Sequence, residues 1–237
     1  MLHPFFSYFG SKYRLSKLYS IPTCDTIIEP FAGSAGYSLM YPNKTVILYE
    51  KYEPIVALWD YLIHVKEEEI LSLPIKDFTK EESLKNEQHI SSEAKILIGF
   101  WLTESQTSPS LYPLSKSRGG NWTQRKKYLI AKQLCHIRHW KIEHKSYEEI
   151  DDQFATWFID PPYQEAGKRY KNKNVDYIHL AQWSKNRTGQ VIVCEQEGAD
   201  WLEFDLLVNT KNASNKSYKE TVWENIKTTE LVMEELY

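Results

Sequence analysis

The residues best equipped for chemistry are Asp160, Pro161, Pro162 and Tyr163, which follow the apolar run Phe154-Ala155-Thr156-Trp157-Phe158-Ile159. A carboxylate, two prolines and an aromatic at the exit of a buried strand suit one reaction, methyl transfer to an exocyclic amino nitrogen of a nucleobase. The lone pair of adenine N6 or cytosine N4 is delocalised into the ring, so that nitrogen is a poor nucleophile. Asp160 would accept one hydrogen bond from the amino group and the Pro161 carbonyl the other, favouring a pyramidal nitrogen whose lone pair points at the methyl group. The prolines would keep this geometry rigid, because each fixes its own φ and holds the preceding residue extended. Tyr163 would stack on a base rotated out of the duplex, worth roughly 1–3 kcal/mol. Transfer would be direct and in line, with orientation supplying much of the rate. No nucleophilic cysteine is needed. The plain alternative is a stiff Pro-Pro turn that only ends a strand.

A methyl donor needs its own site, and Glu29-Pro30-Phe31-Ala32-Gly33-Ser34-Ala35-Gly36 offers one. Small residues after a strand let backbone approach a ligand closely at the carboxyl end of an open α/β sheet. The dinucleotide fingerprint GxGxxG is absent and there is no P-loop lysine, so phosphate cradling is not favoured. A turn opening with the acid Glu29 suits a positively charged ligand such as S-adenosylmethionine, with Phe31, Ala32, Gly33, Ser34 and Gly36 around it. Glu50, at the end of the next apolar run, would accept ribose hydroxyls by the geometry used for NAD; Lys51 follows it.

These motifs need a sheet to position them. Asp25–Ile28 and Thr45–Tyr49 read as buried strands, with a short helix to Met40 between them. The spacing of Ile55, Leu58, Trp59, Leu62 and Ile63 predicts an amphipathic helix from Pro54 to Val65. The first 65 residues thus begin an open parallel sheet. Residues 66–138 carry helical periodicity, with Ile96, Leu97, Phe100 and Trp101 on one helix, a polar loop over 105–121, and a basic helix from Thr123 to Trp140. Strands return at Lys141–Lys145, Ala155–Ile159 and Gln190–Cys194, with a helix from Asp176 to Arg187. Phe204–Val208 and Thr221–Ile226 complete the sheet as antiparallel strands around a polar loop, Asn209–Lys219.

At 237 residues with 42% hydrophobic and 14% aromatic content, a substantial core is expected. Apolar runs fall short of the about 18 residues of a membrane span, and the N-terminus does not read as a secretory signal. Cys24, Cys135 and Cys194 have no CxxC spacing, which fits a reducing cytoplasm. His136, His139 and His144 lie near Cys135 but match no common metal site, so no metal is expected. Net charge is only −3, yet residues 116–145 hold nine Lys/Arg against one acid, Glu143, a local net of +8. Lys168, Arg169, Lys171 and Lys173 form a second basic cluster. Such segregation fits one polyanion-facing side; a solvated basic helix is the alternative. Asn121-Trp122, beside Gly119-Gly120, reads equally as a groove-inserting tip or a packed loop anchor.

Tyr8-Phe9-Gly10-Ser11-Lys12, Glu29 to Gly36 and Asp160-Pro161-Pro162-Tyr163 together resemble the Dam-type (D12 class) N6-adenine DNA methyltransferases, in particular the small versions carried by phages and prophages. The resemblance covers most of the chain, including Leu97–Leu102 and Val191–Glu195. It implies a Rossmann-like class I S-adenosylmethionine-dependent α/β fold with a mixed, mostly parallel seven-stranded sheet and a helical insertion. Residues 1–65 and 139–237 would form the cofactor-binding catalytic domain, and 66–138 the basic DNA-recognition insertion. Tyr8, Gly10, Ser11 and Lys12 would line the cofactor pocket. Lys116, Arg118, Asn121, Trp122, Arg125, Lys126, Lys127, Lys168 and Arg169 would face double-stranded DNA. Two features depart from the family: Ser11 stands where a second glycine is usual, and the third strand is followed by Ser146 where an acid near the cofactor adenine is usual. Rival readings are transfer to cytosine N4, RNA adenine or a protein amide, and a non-catalytic DNA-binding homologue.

Overall fold

The computed structural model describes residues 1–75, 83–103, 106–111, 122–165, 174–211 and 217–226. Seven strands form one sheet in the order β3-β2-β1-β4-β5-β7-β6. They are β1 (Thr26–Glu29), β2 (Thr45–Glu50), β3 (Lys141–His144), β4 (Ala155–Ile159), β5 (Gly189–Gln196), β6 (Asp205–Lys211) and β7 (Ser217–Glu224). The first five in spatial order pair in parallel, while β7 runs antiparallel to both β5 and β6. This is the mixed, mostly parallel seven-stranded α/β sheet of Rossmann-like type expected from the sequence.

Buried on both faces, the central strands read as continuous apolar runs. Alternate residues serve opposite cores. Ile27, Val46, Leu48 and Phe158 join α1 (Glu53–His64), α3 (Ser92–Thr103) and α4 (Gln124–Gln133) in one cluster. Ile28, Trp157, Ile159, Val191 and Val193 join α5 (Tyr177–Lys185) in the other. All five apolar positions read for α1 are buried, and Pro54 sits in its first turn, where no backbone donor is lost. The described helices of 66–138, including α2 (Glu67–Ser72), share the first core: Ile70, Leu97, Ile98, Phe100 and Ile130 pack in the same cluster as the sheet. No helix among the described residues is long and apolar enough to cross a membrane.

Two elements differ from expectation. The basic helix stops at Gln133, followed by a tight turn over Leu134–His136. Leu134, Ile137 and Trp140 are all buried across this turn. The final hairpin is longer than the apolar pattern indicated. Thr210 pairs with Tyr218, and Asn209 with Lys219, within the segment read as a loop. An outer strand with one solvated face tolerates polar residues, so hydrophobic alternation understates its length.

The strand order decides where chemistry can occur. β1 leads outward to β2 and β3, whereas β4 lies on the other side of β1, so the sheet reverses direction between them. Ligands bind at such a reversal, beyond the carboxyl ends of the strands. Ile27 pairs with Thr156 and Ile28 with Trp157, so the turn after Glu29 and the loop after Ile159 leave the same edge side by side. Leu48 pairs with Glu29, and His144 with Glu50, which brings the ends of β2 and β3 to that edge too.

Candidate cofactor cleft and catalytic loop

Several chain segments meet in one cleft that is open to solvent. Tyr8, Gly10, Ser11 and Lys12 come from the N-terminal motif. Glu29, Phe31, Ala32, Gly33, Ser34 and Gly36 come from the β1 turn, Glu50 and Lys51 from the end of β2, Ser146 from beyond β3, and Asp160 and Pro162 from beyond β4. Every residue read from the sequence as a cofactor contact therefore faces this space. Tyr52, Thr107, Lys145, Tyr147, Glu148, Asn174 and Val175 line it as well and carried no sequence motif.

Close packing shapes the β1 turn. Gly33 has φ +44°, and a Cβ there would meet the Tyr8 ring at 3.1 Å. Its carbonyl accepts from Trp59 Nε1 at 2.9 Å. At Gly36 a Cβ would stand 2.6 Å from the Tyr13 backbone nitrogen. Ser16 Oγ ties the same segments together, bridging the carbonyls of Lys12 (2.8 Å) and Gly36 (2.7 Å). Ser11 accepts from Ser34 Oγ at 2.8 Å, so its hydroxyl joins the N-terminal motif to the turn.

Two acids face the cleft from the strand ends. Glu29 is buried and accepts from the Ser38 backbone N–H at 2.8 Å. Burial pushes its carboxyl up to about 8, the Ser38 hydrogen bonds pulling the other way. Glu50 accepts from the backbone N–H groups of Gly33 (3.1 Å), Lys51 (2.9 Å) and Tyr52 (2.9 Å). A carboxylate offers about four acceptor positions. Glu50 thus fixes the β1 turn to the end of β2 and keeps about one position open toward the cleft, fewer than the paired acceptance expected from the sequence. Among the described residues, neither acid forms an ion pair.

The acid missing after β3 is supplied two residues later. Glu148 lines the cleft and accepts from Ser146 Oγ. Glu149 accepts from the Ser146 backbone N–H at 2.8 Å, completing a capping box. The Tyr147 and Phe31 rings lie 5.5 Å apart, an apolar pair beside that acid.

Asp160 opens the loop after β4 with about a fifth of its side chain exposed. Lys12 Nζ lies 2.8 Å from its Oδ1 and also donates to the Gly10 carbonyl at 3.1 Å. Burial raises the Asp160 carboxyl to about 6 despite that ammonium, which leaves it an ionised acceptor at neutral pH. The loop is held from below and behind: Tyr177 OH donates to the Pro162 carbonyl at 2.7 Å, and the Gln164 backbone N–H donates to Glu195 at 3.2 Å. Among the described residues nothing donates to the Pro161 carbonyl, the acceptor assigned from the sequence. Tyr163 is half-buried, with Lys12 Nζ 4.5 Å from its ring centroid.

The basic segment resolves into several roles. Trp122 and Lys127 are corrections to the DNA-facing set, because both are buried. Trp122 Nε1 donates to the Pro74 carbonyl at 2.9 Å, and Lys127 Nζ to the Leu73 carbonyl, closing the end of α2. Trp122 is thus the packed anchor, not the groove tip. Arg138 donates to carbonyls at the end of α1, Lys132 pairs with Glu67 (2.7 Å) and Lys145 with Glu143 (2.7 Å). Residue type alone could not separate these internal roles from exposed charge. Arg125 is exposed, and Lys126 is half-buried with its Nζ over the Trp101 ring. Lys116, Arg118, Asn121, Lys168 and Arg169 lie outside the described residues.

No protein-family model matches the chain, and no curated protein matches it. Matching solved structures include a conserved hypothetical protein from Streptococcus pyogenes, at 11% identity and TM-score 0.34 over 85% of this chain and 86% of that one. Another is a candidate methylase from Haemophilus influenzae, at 9% identity and TM-score 0.35 over 85% of this chain and 80% of that one. Likeness at this level says nothing of activity.

Proposed function

We propose that this protein is an S-adenosylmethionine-dependent methyltransferase acting on the N6 amino group of adenine in DNA. The observation that carries this reading is the convergence of an ionised Asp160, on a proline-stiffened loop, with the acid-opened β1 turn in a single cleft. Two acids without an ion pair among the described residues, Glu29 buried and Glu50 partly buried, suit a cationic ligand. Glu29 would face the ligand's positive charge, Glu50 its ribose with the one acceptor position left, and Phe31 and Tyr147 would cover its adenine, with Glu148 within the same wall. When bound, S-adenosylmethionine supplies a methyl group on a sulfonium that a nitrogen can displace directly. Asp160 and the Pro161 carbonyl accept from the two amino hydrogens of the target, restoring its lone pair. Asp160 then takes the proton that the methylated nitrogen sheds.

The Glu29 assignment has a pH signature. Its folded value, about 8, lies above the usual carboxylate range. The empty protein therefore holds Glu29 protonated at pH 7, and a cation that pairs with the carboxylate must release that proton. Linkage sets the sign: affinity for S-adenosylmethionine rises with pH below about 8, by up to tenfold per unit, and levels off above. Calorimetry in buffers of different ionisation enthalpy reads the released proton, and Glu29→Gln abolishes the release. A flat affinity from pH 6 to 8 would remove Glu29 from the cofactor site.

Phosphate contact would be read by salt. Each lost phosphate contact lowers the slope of log affinity against log salt by about one. Arg125→Ala is expected to do so, whereas Lys127→Ala leaves the slope unchanged and lowers stability, as its position under α2 requires. Equal slopes for Arg125→Ala and the parent protein would take α4 out of the DNA interface.

A further inference from the structure

Behind the catalytic loop lies a carboxylate with no place in any sequence motif. Glu220 is on β7, between the polar loop and the last strand as read from the sequence, and it is buried. Its Oε1 accepts from Tyr163 OH and from Tyr19 OH (2.8 Å), and lies 3.7 Å from Lys12 Nζ. One oxygen thus gathers the catalytic loop, the N-terminal motif and the segment leading into β1. Glu220 itself does not line the cleft.

We propose that Glu220 is a positioning residue of the catalytic loop, holding the Tyr163 ring and the Lys12 ammonium in the places from which they serve Asp160; this rests on the methyltransferase reading above. The Tyr163 ring is fixed at two points. Its hydroxyl is tied to Glu220, and one face is covered by Lys12. The tilt of the ring is thereby set in advance. Lys12 is held between Glu220 and Asp160, so it does not rest on Asp160 alone.

Stability is a weak reason for such an arrangement. A buried carboxylate needs several partners merely to offset its desolvation, and apolar residues of similar volume commonly do as well or better. Phenylalanine at positions 19 and 163 with an aliphatic residue at 220 would fill this space without charge. A polar hub spanning three segments instead fixes one arrangement of them, and misplacement of a reacting group by about 1 Å can cost about 100-fold in rate.

The test compares Glu220→Leu, Glu220→Gln and Tyr163→Phe in the full chain. Glu220→Leu is expected to lower kcat for adenine methylation about 100-fold, with S-adenosylmethionine affinity changed less than threefold. Glu220→Gln keeps the acceptor and recovers most of that loss. It also removes a negative charge near Asp160; Lys12, Tyr163, Tyr19, Cys194, Glu29 and Glu195, which face Asp160 as well, are unchanged, so the acid limb of its rate profile moves to lower pH. Tyr163→Phe lowers kcat without that downward move. A merely structural role would yield neither the rescue by glutamine nor the displaced limb. Unchanged kcat in Glu220→Leu, or a Glu220→Gln as impaired as Glu220→Leu with an unmoved limb, would overturn the proposal. If the parent protein transfers no methyl group, the methyltransferase reading fails on its own, and amide hydrogen exchange decides the positioning claim. Glu220→Leu should then speed exchange at residues 160–165 while the core of β4 stays protected; equal exchange in both proteins would refute it.

Discussion

Replacing Asp160 with alanine is expected to lower methyl transfer about a thousandfold while leaving S-adenosylmethionine bound. The size follows from what the carboxylate does. In the proposed reaction it would accept from the amino group as the nitrogen pyramidalises and take the proton released afterwards, and a positioned group of this kind contributes about 100- to 10,000-fold. Cofactor affinity survives because Asp160 touches only one corner of the cleft, with Glu29, Glu50 and the β1 turn intact. Lys12 keeps the Gly10 carbonyl and Glu220 as partners, so the variant leaves no cation stranded. Asp160 acts ionised, and its folded value is about 6. The parent rate is therefore expected to fall about tenfold per pH unit below that value, and single-turnover rates from pH 5 to 8 read the limb. An alanine variant with parental turnover would end the proposed chemistry at this loop.

Replacing Gly36 with alanine should have the largest effect on the architecture, about 3 kcal/mol of stability and roughly 6–12 °C in Tm. A methyl there would stand 2.6 Å from the Tyr13 nitrogen and 3.0 Å from the Lys12 backbone. These are backbone atoms, held by the Ser16 bridge to both segments, so no flexible side chain can move aside. Relief requires the N-terminal motif to lift from the β1 turn. That movement would also draw Lys12 from Asp160 and Tyr8 from Gly33, so cofactor affinity and rate should fall with stability. Ser34→Ala, which loses only the hydrogen bond to Ser11, serves as the mild comparison in thermal unfolding and calorimetry. A Gly36→Ala protein with parental Tm and affinity would mean that the segments do not approach this closely.

Legibility in the sequence followed the strength of local constraints. β1, β2, β4 and α1 were clear because strands buried on both faces must be apolar throughout, and a helix on a sheet must show a single apolar stripe. The cofactor turn and the catalytic loop were clear for a different reason: glycine beside glycine-like residues, or paired prolines, have few other uses at a strand exit. The last hairpin was shortened because an outer strand can be polar, and Glu220 was lost with it. Its partners Tyr19, Lys12 and Tyr163 are roughly 60 to 200 positions distant in the chain, a separation no local pattern spans. Lys127, Arg138 and Trp122 were misread in the opposite sense. Positive charge and an aromatic beside a glycine pair look like a nucleic-acid surface, and only the fold shows them closing helix ends and anchoring the chain. Glu148, two residues past Ser146, lines the cleft without any motif to announce it.

The most direct test is to incubate the protein with methyl-labelled S-adenosylmethionine and duplex oligonucleotides of varied sequence, then digest the DNA and identify labelled nucleosides by mass spectrometry. Labelled N6-methyladenine, absent when Asp160 is alanine, is the expected result. Labelled N4-methylcytosine without N6-methyladenine, or no labelled nucleoside at all, would contradict it.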